Sequence, residues 1–265
     1  MAIALILGIL VGAVLGVTGA GGGILAVPAL VAGMGWSMQQ AAPVALTAVV
    51  SSAAIGALEG LRKRLVRYRA AILMAISGVP FTLLGQQLAQ VIPQPWLMGL
   101  FGGIMLSVGI RLLLKHGAHA MRVETTMGAL ARINPQTGRF HWCWGTALLL
   151  GGIGALTGLL TGLLGVGGGF VIVPMLRRFT DVSMHGVVAT SLMVITLVGS
   201  GGIALALAQG AAMPMQATLL FAMATAAGMA SGRQVAAYLS EQAVQRGFAL
   251  LLIVVALALM VRASL

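Results

Sequence analysis

Apolar residues fall into long runs, at about 2–34, 39–58, 70–91, 96–114, 142–176, 184–208, 216–239 and 247–262. Runs of this kind read as helices that cross a bilayer, whose hydrocarbon core takes about 20 residues per span. Most separators are short. The exceptions are a basic loop over 59–69 and a stretch over 115–141 containing Asn134-Pro135 and Thr137-Gly138, pairs that favour turns. The pattern divides the chain into a first membrane repeat, 1–114, a basic cytoplasmic linker, 115–141, and a second membrane repeat, 142–265. Two runs, 2–34 and 142–176, are too long for one ordinary span, and each holds three consecutive glycines.

Those two runs are copies. Pro28 matches Pro174, an offset of 174 − 28 = 146, and at that offset Gly8, Gly12, Gly16 and Gly19 fall on Gly154, Gly158, Gly162 and Gly165. The triplet Gly21-Gly22-Gly23 falls on Gly167-Gly168-Gly169, and Ser37 on Ser183. After a slip of one residue, Gly85, Gln87 and Phe101 match Gly232, Gln234 and Phe248. The chain is therefore two tandem halves joined by the 115–141 linker.

Charge then bears on orientation. If each Gly-rich run enters the membrane and returns, each half has three full crossings, an odd number, and the halves are inverted. With the 59–69 loop cytoplasmic, the 115–141 linker, Arg177, Arg178 and Arg246 also fall inside, while the uncharged loops 92–95 and 209–215 fall outside. Only Arg262 opposes this arrangement. The expected fold is therefore an all-α polytopic membrane protein of two tandem, inverted repeats. Each has a Gly-broken first element, re-entrant or discontinuous, followed by three membrane helices.

Composition removes other classes. Charged residues are 7% and apolar ones 60%, with mean hydropathy +1.07, so the chain lacks the polar cover of a soluble enzyme. The net charge of +11 sits between apolar runs, a membrane-loop pattern that argues against a nucleic-acid partner and for a lipid one. Cys143 is the single cysteine, which excludes an internal disulfide. The sequence has no HExxH, no Lys-capped phosphate loop and no paired mid-membrane Asp, so neither enzyme activity, metal nor cofactor is expected.

The glycines suggest two jobs. Gly8, Gly12 and Gly16, like Gly154, Gly158 and Gly162, recur every four residues and line one helix face for close approach of another helix. The triplets instead favour a break, since glycine costs about 1 kcal/mol relative to alanine inside a helix. A helix restarting at Ile24 or Phe170 would aim free N–H groups and the positive end of its dipole into the gap, a site for an anion that needs no charged side chain. The alternative is that the glycines only permit tight packing.

The motifs GVTGAGGGILAVPAL and GLLGVGGGFVIVPML, one per half, with VVATSL at 187–192, resemble the sulfite exporter TauE/SafE family over essentially the whole chain. The resemblance implies transport of small sulfur-containing or carboxylate anions, such as sulfite, sulfoacetate or thiosulfate, across the inner membrane. The first half departs from it, with VALTAV at 44–49 where the second has the Thr190-Ser191 pair.

The candidate substrate-binding residues are Gly21, Gly22, Gly23, Gly167, Gly168 and Gly169 at the breaks, with Thr47, Thr190, Ser191, Gln87, Gln234 and Arg233 around them. The hydroxyls either meet the anion or bond a carbonyl one turn back. Gln86, Gln87 and Gln234, uncharged amides inside apolar runs, are expected to face the bundle interior, and Gln87 and Gln234 are repeat mates. Arg233 either neutralises an anion or snorkels to the membrane edge. The function expected is export of a small anionic substrate bound between the two breaks. Carriage of a neutral or cationic solute and a non-transporting scaffold are the alternatives, and the oligomeric state, a homodimer included, stays open.

Overall fold

The computed structural model describes residues 2–114, 143–180, 182–210, 214–236, 238 and 240–264; the 115–141 linker lies outside the described residues. The first half forms α1 (Ala2–Thr18), a 3-10 helix over Gly19–Leu25, α2 (Ala26–Met34), α3 (Met38–Arg62), α4 (Tyr68–Val91) and α5 (Gln94–Leu114). The second forms α6 (Trp144–Leu164), α7 (Gly169–Phe179), α8 (Met184–Ala208), α9 (Met215–Ala236) and α10 (Glu241–Ser264). The described residues are all-α, and α3, α4, α5, α6, α8 and α10 are long and apolar enough to cross a membrane. The 21 residues of α6 rise about 32 Å, enough for the hydrocarbon core.

Local sequence sets the helix starts. Ser37 caps α3 by accepting from the Gln40 N–H at 3.2 Å, and the Gln40 side chain returns the bond to the Ser37 N–H. Its repeat mate Ser183 caps α8 by accepting from the Gly186 N–H at 3.3 Å.

The most extensive helix contacts cross between the halves: α4 lies on α6 and α1 on α9, followed by α5 on α10 and α3 on α8. The glycines spaced by four make the first two possible. A Cβ on Gly158 would lie 2.0 Å from Gly78 O, and one on Gly162 2.1 Å from Thr82 O. Their mates behave alike, with Gly12 2.1 Å from Thr225 O and Gly16 2.3 Å from Met229 O. From the other side, Gly85 meets Leu159 O and Gly232 meets Ala13 O, each at 2.3 Å. Backbone rests on backbone at every step. The first of the two jobs read from the glycines is thus a packing face, and the repeat offset holds contact by contact.

The order of these contacts gives directions. Along α6, Gly154, Gly158 and Gly162 meet Met74, Gly78 and Thr82 in turn, so α4 and α6 run parallel, as do α1 and α9. Repeat mates run oppositely. Gly56 of α3 meets Leu192 of α8, Gly60 meets Ala189, and Gly199 meets Val50, so position rises on one helix as it falls on the other. In the same way Gly102 of α5 meets Ala256 of α10 while Gly109 meets Ala249. Apolar side chains such as Ile76, Leu148 and Val254 point outward, as a lipid-facing surface requires.

Candidate functional site

The two glycine runs do not fold alike. In the second half α6 ends at Leu164, with Gly165, Gly167 and Gly168 all at positive φ (69°, 74° and 66°), a region open to glycine without strain. Helix α7 then starts at Gly169 with Gly168 as its N-cap residue. In the first half only Gly19 has a positive φ among the corresponding residues, and Gly19–Leu25 winds as a 3-10 helix joined directly to α2. The expected restart at Ile24 is therefore corrected: α2 begins at Ala26, and the Ala26 N–H already donates to Gly23 O. A physical reason lies in the one residue with a side chain in each run. Ala20 favours winding, whereas β-branched Val166 resists it.

Backbone bonding follows the geometry. The 3-10 helix pairs amides three residues back. At the second break the Val171 and Ile172 N–H groups both donate to Gly168 O, at 3.0 and 3.2 Å, and the Gly165 N–H donates to Thr161 O at 2.8 Å. The N–H groups of Val166, Gly167, Gly168, Gly169 and Phe170 have no acceptor among the described residues, and all five residues are buried. A buried donor without an acceptor costs roughly 1–3 kcal/mol, so this stretch is a strong local demand for acceptors.

The breaks meet inside the bundle. A Cβ on Gly23 would lie 3.3 Å from Val166 O and 3.0 Å from Val49 Cγ1, while one on Gly167 would lie 3.2 Å from that same methyl and 3.0 Å from Ile195 Cγ2. Val49 and Ile195 are repeat mates, each midway along its helix, and both are buried. The other first-half glycines point elsewhere. Gly22 packs back on Leu15 of α1, and Gly21 faces Phe248 at 3.6 Å.

Beside the second break is a cavity of about 130 Å³ reached by Thr161, Gly162, Gly165, Gln86 and Gln209. That volume corresponds to roughly four waters at about 30 Å³ each. Gln86 donates from Nε2 to Gly202 O at 2.8 Å, and its buried Oε1 has no partner among the described residues. A larger groove of about 330 Å³ between α1 and α10 is almost wholly apolar; its one hydroxyl, Thr18, is spent on Val14 O at 2.7 Å.

The polar side chains read from the sequence scatter. Thr47 donates to Pro43 O at 2.8 Å and Ser191 to Val188 O at 2.9 Å, each back into its own helix. Buried Thr190 accepts from the Arg67 N–H at 3.0 Å, tying α8 to the start of α4. Gln87 and Gln234 are exposed, which corrects their expected place in the interior. The inward positions are one residue earlier, Gln86 and Arg233, themselves equivalent at the offset of 147. Arg233 bonds Glu59, which also pairs with Lys63 at 2.6 Å, and it lies against Gly56 as Gln86 lies against Gly202. With side chains 31% and 46% exposed, Arg233 and Glu59 sit at the bundle's edge.

Two buried hydroxyls that the sequence reading passed over lie at the second break. Thr157 and Thr161 stand where the first half has Val11 and Leu15, so the signal was present as polar residues replacing apolar ones between copies.

A two-half helical bundle of membrane-spanning length, with broken segments from each half meeting in its interior, has the architecture of a membrane transporter. The chain belongs to the sulfite exporter TauE/SafE family, whose profile matches residues 4–259. It is 32% identical over 195 residues to a "Probable membrane transporter protein" of Xylella fastidiosa strain Temecula1, covering 73% of this chain and 68% of that protein. A protein of the same description from strain 9a5c is 31% identical over 191 residues, covering 72% and 67%. No solved structure matches. The protein is a multi-pass membrane transporter.

Proposed function

We propose that this transporter exports small sulfur-containing anions, sulfite, sulfoacetate or thiosulfate among them, across the inner membrane. The observation that carries the reading is the run of acceptor-free amides from Val166 to Phe170, buried beside the N-terminus of α7. An oxyanion supplies the acceptors these donors lack, and the helix dipole favours its charge. The contact of Gly167 with Val49 and Ile195, midway along α3 and α8, supports a site near the bilayer midplane.

The halves are read as inverted repeats. The opposite run of α3 and α8, and of α5 and α10, supports this, as does the short loop after α3, whose Lys63, Arg64 and Arg67 favour the cytoplasmic side. Arg262, the one charge opposed to that orientation, donates to Val31 O at 3.0 Å in α2, so a carbonyl near the C-terminal end of a helix holds it. On this topology the 115–141 linker is cytoplasmic. The membrane potential alone can drive export: an inside-negative 100 mV contributes about 2.3 kcal/mol per unit charge leaving, close to a fifty-fold concentration ratio.

The test is flux in proteoliposomes with the potential clamped by potassium and valinomycin. Saturable sulfite flux that rises with a potential attracting the anion to the receiving side is expected. Absence of such flux, with uptake of a neutral or cationic solute that sulfite does not inhibit, would overturn the reading.

A further inference from the structure

We infer that the anion site is one-sided: it belongs to the second glycine break, with the Thr157 hydroxyl of α6 as its side-chain donor, and the first break holds no cargo. This rests on the anion-transport reading and adds to it which half recognises the ligand and through which side chain.

Thr157 is fully buried, and its Oγ1 has no hydrogen-bond partner among the described residues. Its side chain lies against the N-cap residue of α7: a Cβ on Gly168 would stand 2.3 Å from Thr157 Cγ2. A hydroxyl in a helix usually donates to the carbonyl one turn back, as Thr161 does to Thr157 O at 2.8 Å. Thr157 makes no such bond, so its proton is available to a ligand. Thr161 Oγ1, 3.2 Å from the same point on Gly168, has its proton engaged and offers lone pairs only. Among the described residues, the free donors here are therefore one hydroxyl and the amides of Val166 to Phe170, with no basic side chain beside them. That set suits a small, compact oxyanion with several acceptor oxygens. A bulky organic anion that needs an arginine does not fit it.

The first break offers none of this. Its 3-10 winding pairs the amides, Gly22 is pressed on Leu15, and the positions equivalent to Thr157 and Thr161 are Val11 and Leu15, which have no polar atom to give. The 130 Å³ cavity also adjoins only the second break, reaching Thr161, Gly162 and Gly165.

The experiment compares wild type, Thr157→Val, Thr157→Ser and Gly21→Ala in proteoliposomes, measuring the KM for sulfite and, separately, the melting temperature. Valine keeps the shape of threonine and removes the hydroxyl, and it raises KM about ten-fold, equivalent to about 1.4 kcal/mol. Serine restores a KM near that of wild type. Gly21→Ala, whose new methyl meets Phe248 at an ordinary 3.6 Å, leaves KM unchanged. Should the valine variant fail to reconstitute, Thr157→Ala gives the same comparison. Sulfite flux in the wild type with an unaltered KM in the valine variant overturns the inference and leaves the transport reading standing. An equal rise in KM from Gly21→Ala overturns the one-sided assignment. No saturable sulfite flux in the wild type defeats both.

Discussion

Alanine at Gly158 would place a methyl carbon 2.0 Å from Gly78 O and 2.6 Å from Gly78 C, both backbone atoms that cannot rotate away. Carbon–oxygen contacts shorter than 3.0 Å are essentially not seen, and comfortable ones begin near 3.4 Å. Helices α4 and α6 must therefore separate by 3.0 − 2.0 = 1.0 Å at least, and by 1.4 Å to relax fully. A gap of 0.5–1 Å already forfeits about a quarter to a half of each dispersion contact, and this is among the two most extensive helix contacts in the protein. Overpacking of this kind costs about 3 kcal/mol at the upper end of its usual range. The better helix propensity of alanine returns about 1 kcal/mol, for a net loss near 2 kcal/mol. At about 2–4 °C per kcal/mol, the melting temperature falls by roughly 4–8 °C. Gly151 supplies the internal control. It lies on the same helix and meets nothing within 4 Å, so Gly151→Ala gains propensity without a clash and melts slightly higher. The assay is the fraction of monodisperse protein surviving heating, read by size-exclusion chromatography in detergent. Equal melting temperatures for the two variants would refute the backbone-contact account of the glycine repeat.

Thr190→Val removes the acceptor of the Arg67 N–H at the start of α4 and is expected to cost about 1 kcal/mol, as loss of a helix cap does. Its KM for sulfite stays at the wild-type value; a rise would return Thr190 to the binding site. Glu59→Gln breaks a partly exposed ion pair and lowers stability by no more than about 1 kcal/mol, so failure to fold would show that the Arg233 pair is buried in the membrane interior. Cys143, exposed just before α6, tests orientation. A membrane-impermeant maleimide is expected to label it in inverted vesicles and not in intact spheroplasts. The hydrogen bond with Thr146 holds the Cys143 thiol below its ordinary pKa, which raises the thiolate fraction at neutral pH, so Thr146→Val slows that labelling.

What the sequence disclosed, and what it withheld, follows from how membrane helices pack. The pairing faces of α1 and α6 were legible because close approach needs small residues, and Gly8, Gly12 and Gly16 mark their face whatever surrounds them. The facing of Gln86 and Gln87 was not. Neighbours on a helix point about 100° apart, and lipid is as apolar as the interior, so hydrophobic periodicity sets no phase along α4. The same ambiguity holds for Arg233 and Gln234 in α9, both of them candidates by sequence. The tie made by Thr190 is hidden for another reason: its partner, the Arg67 N–H, is 123 residues away, and nothing in VVATSL announces it. The unequal breaks turn on Ala20 against Val166, too fine a difference to weigh before the chain is seen folded.

The cross-clasped arrangement has a consequence for biogenesis. Helix α1 leaves the ribosome long before the surface that fits it, which belongs to α9, whose first residue is Met215. At 5–20 residues per second of synthesis, its glycine ridge waits in bare lipid for roughly 10–40 s. In each half the leading helix packs most extensively on a helix of the other half, α1 on α9 and α6 on α4. A nascent chain released before α9 emerges would leave that ridge open to any other small-residue surface in the membrane.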